Sequence, residues 1–149
     1  MRVNATWIGF AVLVGCADPP PDPDLATPIA TARTLLRAYH LDRATEAQIQ
    51  RRIRRGIVSS NEHPVDETLL RKTLADFDPE DSIDRGLAVF LVGAIAARRD
   101  RLQESMAGDR GTVYVGDELM VVLRRETEGW KIVIEQSVPA AVRESVRQP

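Results

Sequence analysis

Residues 86–97 read Gly-Leu-Ala-Val-Phe-Leu-Val-Gly-Ala-Ile-Ala-Ala, and these twelve consecutive residues carry no charged or polar side chain. A run of this length is too short to cross a bilayer as a helix, so it indicates a helix buried in a protein core. Residues 78–81, Asp-Pro-Glu-Asp, precede it with a capping residue, a proline and carboxylates, which favour a helix start. The sequence therefore predicts one long buried helix over 79–106, ended by Gly108.

After this helix the periodicity changes from helical to strand-like. Three segments alternate apolar and polar residues and are separated by short turns, which is typical of an antiparallel meander. The segments are Thr112–Val115, Glu118–Arg125 and Trp130–Gln136. A short C-terminal helix is predicted over Ala140–Arg147.

Capping signals before the long helix predict three further helices. Thr27 and Pro28 suit the start of the first, and Thr45 with Gln48 fits a capping box at the start of the second. The predicted ranges are 28–41, 45–56 and 64–77. The expected fold class is therefore α+β, with about four N-terminal helices packed on a three-stranded antiparallel sheet, in one globular domain over 29–149.

The N-terminus has the three-part layout of a secretory signal, with Arg2, an apolar stretch from Trp7 to Val14, and a small residue at the junction. The junction, Leu13-Val14-Gly15-Cys16, resembles the lipobox of bacterial lipoproteins. This resemblance implies that residues 1–15 are removed by cleavage between Gly15 and Cys16. It also implies that the Cys16 thiol carries a lipid that anchors the protein to a membrane outside the cytoplasm. An ordinary cleaved signal with an incidental cysteine is the alternative.

The segment after the cysteine is rich in proline. Residues 17–28 contain five of the nine prolines, and residues 16–28 are predicted to form an extended tether of roughly 35 Å. Ala17, rather than an aspartate, follows Cys16. In the lipoproteins that this leader resembles, that choice implies delivery to the outer membrane if the bacterium has one.

The densest basic cluster surrounds Ile53 on the predicted second helix. A solvated helix face explains such a cluster, and a site for lipid phosphates, lipopolysaccharide or an acidic protein partner is the alternative. The cluster consists of Arg51, Arg52, Arg54 and Arg55. The whole chain has 20 Lys and Arg against 22 Asp and Glu, so its charge gives no reason to expect a nucleic-acid partner.

No pattern in the chain is typical of catalysis or of a cofactor. His40 and His63 lie far apart and without a metal-binding spacing, so no metal site is predicted. Ser59 and Ser60 precede His63, but no G-x-S-x-G motif is present. The sequence predicts no catalytic residues and no cofactor, and a non-catalytic binding domain is the first functional hypothesis.

The stretch 123–133, which contains Gly-Trp-Lys-Ile at 129–132, resembles the last hairpin of NTF2-like (SnoaL-like) domains. The resemblance implies a curved sheet with a pocket between the sheet and the long helix. A small apolar ligand near Phe90 and Trp130 is therefore the alternative functional hypothesis.

Overall fold

The computed structural model describes residues 22–56 and 63–148. In these ranges helices precede and follow a four-stranded antiparallel sheet, so the predicted α+β class is confirmed. The lipobox, Gly15, Cys16 and residues 17–21 lie outside the described residues, as do Ser59 and Ser60. The elements are α1 (Pro28–Ala38), α2 (Glu46–Arg54), α3 (Glu67–Thr73), α4 (Ser82–Ala97), β1 (Leu102–Ala107), β2 (Arg110–Val115), β3 (Leu119–Glu126), β4 (Gly129–Ile132), α5 (Ile134–Ser137) and α6 (Ala140–Arg147).

The sheet is a meander in the order β1-β2-β3-β4, and each neighbouring pair is antiparallel. Alternate side chains on one face are buried in the core, as strand geometry requires when helices cover that face. These include Val113, Val121 and Leu123. The opposite face carries Tyr114 and Met120, which are register partners and are 38% and 58% exposed.

Helix α1 holds the sheet to the other helices. Its backbone amide at Ile29 donates to Glu104 Oε2 of β1 at 2.9 Å, and Thr31 Oγ1 donates to the Trp130 carbonyl of β4 at 3.0 Å. Leu35 and Leu36 are fully buried, and α3 and α4 also pack against α1. Helix α1 is therefore held against the sheet on one side and against α3 and α4 on the other.

The predicted long helix is wrong beyond residue 97. Helix α4 ends at Ala97, Arg99–Arg101 form a 3-10 turn, and residues 102–107 form β1. Every residue of β1 pairs with β2, and this pairing outweighs the modest helix preference of the segment. Gly108 does not end a helix: it adopts φ 59° in the two-residue turn between β1 and β2. The sheet consequently has four strands instead of the three expected.

The last strand is shorter than predicted. Strand β4 ends at Ile132 and does not continue to residue 136, because Ile134–Ser137 form one helical turn. The Ser137 hydroxyl explains the change, because it accepts from Val122 N at 2.9 Å and donates to Val133 O at 2.7 Å. The C-terminal helix over Ala140–Arg147 is confirmed.

The second helix begins as predicted. Thr45 Oγ1 accepts from Gln48 N at 3.2 Å, and Gln48 Oε1 accepts from Thr45 N at 2.8 Å, which completes the capping box. The third helix is shorter than the predicted 64–77, because Asp66 caps its start and the chain becomes extended at Leu74. Leu74 then forms a bridge to Ile132 at the edge of β4.

The folded part begins before residue 29. Pro23–Leu25 form a 3-10 turn in which the Leu25 side chain is fully buried. Gly129 adopts φ 135°, and a Cβ at this position would lie 2.5 Å from the Leu25 carbonyl oxygen. Burial of Leu25 outweighs the extension that the prolines favour. Residues 22–28 are therefore part of the domain and not of an extended tether.

Ion pairs fasten this first segment to α1 and α3. Lys72 Nζ lies 2.5 Å from an Asp22 carboxylate oxygen and 3.3 Å from one of Asp24, and Arg37 Nη1 lies 2.9 Å from Asp24 Oδ1. The hydrogen bond from Lys72 lowers the pKa of Asp22, and the hydrogen bond from Arg37 lowers the pKa of Asp24. The chain thus enters the domain beside Arg37 and Lys72.

Candidate anion-binding site

A cleft of about 1140 Å³ opens where the C-terminal end of α1 meets α2 and the start of α3. This volume is somewhat larger than the roughly 300–1,000 Å³ that is usual for small-molecule sites. The described residues that line it include five arginines and two histidines, and we call it the basic cleft. They are Arg37, Arg43, Arg51, Arg52, Arg55, His40 and His63.

Backbone hydrogen bonds at the end of α1 build one wall of the basic cleft. The Leu41 amide donates to Leu36 O at 2.9 Å, which closes the helix with His40 in the left-handed conformation at φ 59°. His40 Nε2 donates to Pro64 O at 2.7 Å, and the Asp66 amide donates to Ala38 O at 2.9 Å. The start of α3 is thereby held against the end of α1.

Two arginines fix the remaining walls. Arg52 Nη2 donates to Tyr39 O at 3.2 Å, which ties α2 to α1. Arg99 Nη1 donates to Leu41 O at 2.9 Å and to Asp42 O at 2.8 Å, which holds the loop between α1 and α2. The walls of the cleft are therefore fixed by hydrogen bonds between separate elements.

The positive charge of the basic cleft is largely uncompensated within the described ranges. No described carboxylate lies within salt-bridge distance of Arg43, Arg51, Arg52 or Arg55. The described carboxylate in the lining, Asp42, instead faces Arg33 Nη1 at 3.8 Å. These guanidinium groups keep donors available for an anionic ligand.

Tyr39 forms part of the base on which the cleft is built. Its side chain is 3% exposed, and burial raises the pKa of its hydroxyl to about 12. Its carbonyl accepts the hydrogen bond from Arg52, so a buried residue orients a cationic one.

The structure brings three of the four predicted arginines into the basic cleft. Arg51, Arg52 and Arg55 line it, whereas Arg54 does not. Arg37 and Arg43 were missed, because they lie outside the dense arginine run. The chain reverses direction after α1, and this places Arg37 and Arg43 beside the arginines of α2. No local spacing in the sequence signals the reversal.

The two residues expected to line an apolar pocket do not line this cleft. Trp130 is 3% exposed, and a Cβ on Gly111 would lie 2.9 Å from its ring and 2.9 Å from Pro28 Cγ. Arg125 Cζ lies 5.9 Å from the centre of the Trp130 ring. Phe90 is partly buried on α4 against the core. Trp130 is thus closely surrounded by protein atoms.

Within residues 22–56 and 63–148, no group of three or more His, Cys, Asp or Glu side chains is arranged to hold a metal ion. None of the helices in those ranges has both the length and the apolar composition needed to cross a bilayer.

Comparison with known proteins gives no relative: no protein-family model, curated protein or solved structure matches this chain.

Proposed function

We propose that this chain is a bacterial lipoprotein whose α+β domain binds an anionic partner in the basic cleft without catalysing a reaction. A lipid on Cys16 anchors it outside the cytoplasm, at the outer membrane where the bacterium has one. One observation carries the binding proposal. Five arginines from different elements converge on a concave surface, and four of them have no described acidic partner within salt-bridge distance.

A solvated face of α2 alone does not account for this grouping. Arg37 belongs to α1 and Arg43 to the following loop, and only the other three belong to α2 and its C-terminal end. A single exposed ion pair contributes about 0.2 to 1 kcal/mol. A hydrogen bond between charged groups contributes about 1.5 to 3 kcal/mol, and several donors in a fixed cleft act on one ligand together.

The apolar-ligand alternative has less support. A pocket beside Trp130 needs open space between the sheet and α4, but Trp130 is buried and Gly111 lies directly against its ring. The basic cleft offers open volume, and its apolar lining from Leu41, Ala44 and Leu69 is combined with many cationic groups.

Titration of the full chain with polyglutamate and with inorganic pyrophosphate, in a neutral detergent, tests anion binding. Calorimetry is expected to detect binding of at least one of these anions. Arg51→Gln and Arg55→Gln are each expected to weaken it about tenfold. Arg54→Gln is the matched control, because Arg54 lies on the same helix outside the cleft. The proposal is wrong if neither anion binds, or if the control weakens binding as much as the cleft variants do.

Lipid anchoring is tested separately with Cys16→Ser. The unaltered chain is expected to incorporate labelled palmitate and to remain with the membrane fraction after a high-salt wash, whereas the variant does neither. Equal palmitate incorporation in the two chains contradicts the anchoring proposal.

A further inference from the structure

We infer that the basic cleft faces the membrane that anchors the chain and binds the phosphate of an anionic lipid headgroup. This inference rests on the proposed function and names the partner of the same site. Three features support it: where the chain enters the domain, how long the connection to Cys16 is, and which groups line the cleft.

The chain enters the domain at the rim of the basic cleft. Arg37 lines the cleft and also holds Asp24, with Nη1 2.9 Å from Oδ1. Lys72 of α3 holds Asp22 and Asp24, and Leu69 of the same helix lines the cleft. The entry point and the cleft therefore lie on one side of the domain, separated by about the length of an arginine side chain.

The connection from Cys16 to this entry point is short. Asp22 is six residues after Cys16, and six residues of chain cannot span more than about 20 Å even when fully extended. The tether predicted from sequence reached to residue 28 and allowed roughly 35 Å. Because residues 22–28 are docked, the side of the domain that carries Asp22 is held close to the bilayer surface.

The lining matches a phospholipid headgroup. A guanidinium group can bind a phosphate with two parallel hydrogen bonds. Arg43, Arg51 and Arg55 can make such bonds, because no described acidic side chain lies within salt-bridge distance of them. Ala44 and Leu69, which are partly exposed, provide an apolar surface for the glycerol and upper acyl groups. Each arginine beside an anionic membrane surface strengthens the association on the order of fivefold.

The test uses the lipidated full chain in nanodiscs and a photo-crosslinking amino acid at one position. Gln48 reports from the cleft, and Met120, 58% exposed on the outer face of the sheet, is the control position. The discs contain either phosphatidylcholine alone or phosphatidylcholine with phosphatidylglycerol. Retention on the disc reports the anchor, and crosslinking to lipid reports the orientation of the cleft.

Crosslinking to phosphatidylglycerol is expected from position 48 and not from position 120. It should fall about 25-fold when Arg51→Gln and Arg55→Gln are combined, since each arginine contributes about fivefold. In discs of phosphatidylcholine alone, crosslinking from position 48 to lipid should be similarly weak. Arg54→Gln should leave crosslinking to phosphatidylglycerol unchanged. Equal crosslinking from positions 48 and 120, or no dependence on phosphatidylglycerol, overturns the inference.

Soluble anions distinguish this inference from the proposed function. If polyglutamate or pyrophosphate binds in an Arg51-dependent manner while position 48 does not crosslink to lipid, the lipid inference is wrong and anion binding stands. If no anion binds and no lipid crosslinks, both are wrong. Loss of the chain from the disc contradicts the anchor itself.

Discussion

Individual arginines of the basic cleft have different roles, which their contacts reveal. Arg52 donates to Tyr39 O and Arg37 is paired with Asp24, so these two orient the walls of the site. Arg43, Arg51 and Arg55 have no described acidic partner within salt-bridge distance. We expect the last group to provide most of the contacts to a ligand.

At the residue scale, Tyr39 makes stability fall at alkaline pH. Burial raises its pKa to about 12, whereas the hydroxyl in the unfolded chain ionises near the ordinary value of 10.0. The unfolded state therefore loses this proton first. The neutral Tyr39 hydroxyl therefore contributes about 2 to 3 kcal/mol to the free energy of unfolding. This contribution is fully present below about pH 10 and is lost as the pH rises to about 12.

Urea unfolding of the parent chain and Tyr39→Phe at about pH 9 and about pH 12 measures this effect. The parent is expected to lose more free energy of unfolding than the variant over that interval. All other titrating groups are common to both chains, so the difference isolates Tyr39. Equal losses contradict the assignment.

The docking of residues 22–28 also has a test at a single residue. Leu25→Ala is expected to lower the free energy of unfolding by about 2 to 5 kcal/mol, because Leu25 is fully buried. Ala26→Ser is the control, since Ala26 is exposed, and its effect should stay within about 0.5 kcal/mol. If Leu25→Ala is as mild as the control, this segment is not part of the domain.

Only the cleft arginines that lie close together in the sequence could be predicted from it. The dense run at 51–55 identified Arg51, Arg52 and Arg55, but it could not separate them from Arg54, because all four share the predicted C-terminal turn. Arg37 and Arg43 join the site through the left-handed turn at His40. A histidine in that conformation is uncommon and has no reliable sequence signal.

At the scale of elements, the boundary between α4 and β1 was the main error. Residues 98–107 contain Arg, Leu, Gln, Glu, Met and Ala, which favour helices, so local preference extended the helix. Pairing with β2 decides the outcome, and this pairing is a tertiary effect. The Gly108-Asp109 pair is a hairpin signal, but after a segment of helix-favouring residues the same glycine also fits a helix end. Where capping chemistry was strong, as at Thr45, the predicted start of the helix was correct.

Amide hydrogen exchange tests whether residues 102–107 form an edge strand. An edge strand directs alternate amides toward its neighbour and the others away, so slow and fast exchange should alternate along Leu102–Ala107. The interior of α4 is the internal control and should be protected continuously. Continuous protection through 102–107 would support the longer helix instead.

At the scale of the whole molecule, the basic cleft and the entry of the chain occupy the same side of the domain. Asp24 links them through Arg37, and the buried Leu25 fixes the segment between Asp22 and α1. The proposed lipid on Cys16 would then hold an anion-binding site close to a surface rich in phosphate. Composition could not predict this arrangement, because the chain as a whole carries a net charge of −2.

The central claim is that the basic cleft binds an anion, and nuclear magnetic resonance of the full chain in neutral detergent tests it most directly. Signals of the arginine Nε–H groups are followed during separate titrations with inorganic pyrophosphate and with polyglutamate. With at least one of these anions, the account predicts saturable shifts at Arg43, Arg51 and Arg55, with Arg54 and Arg125 nearly unchanged. Shifts that are absent with both anions, or that are as large at Arg54 and Arg125 as in the cleft, would contradict it.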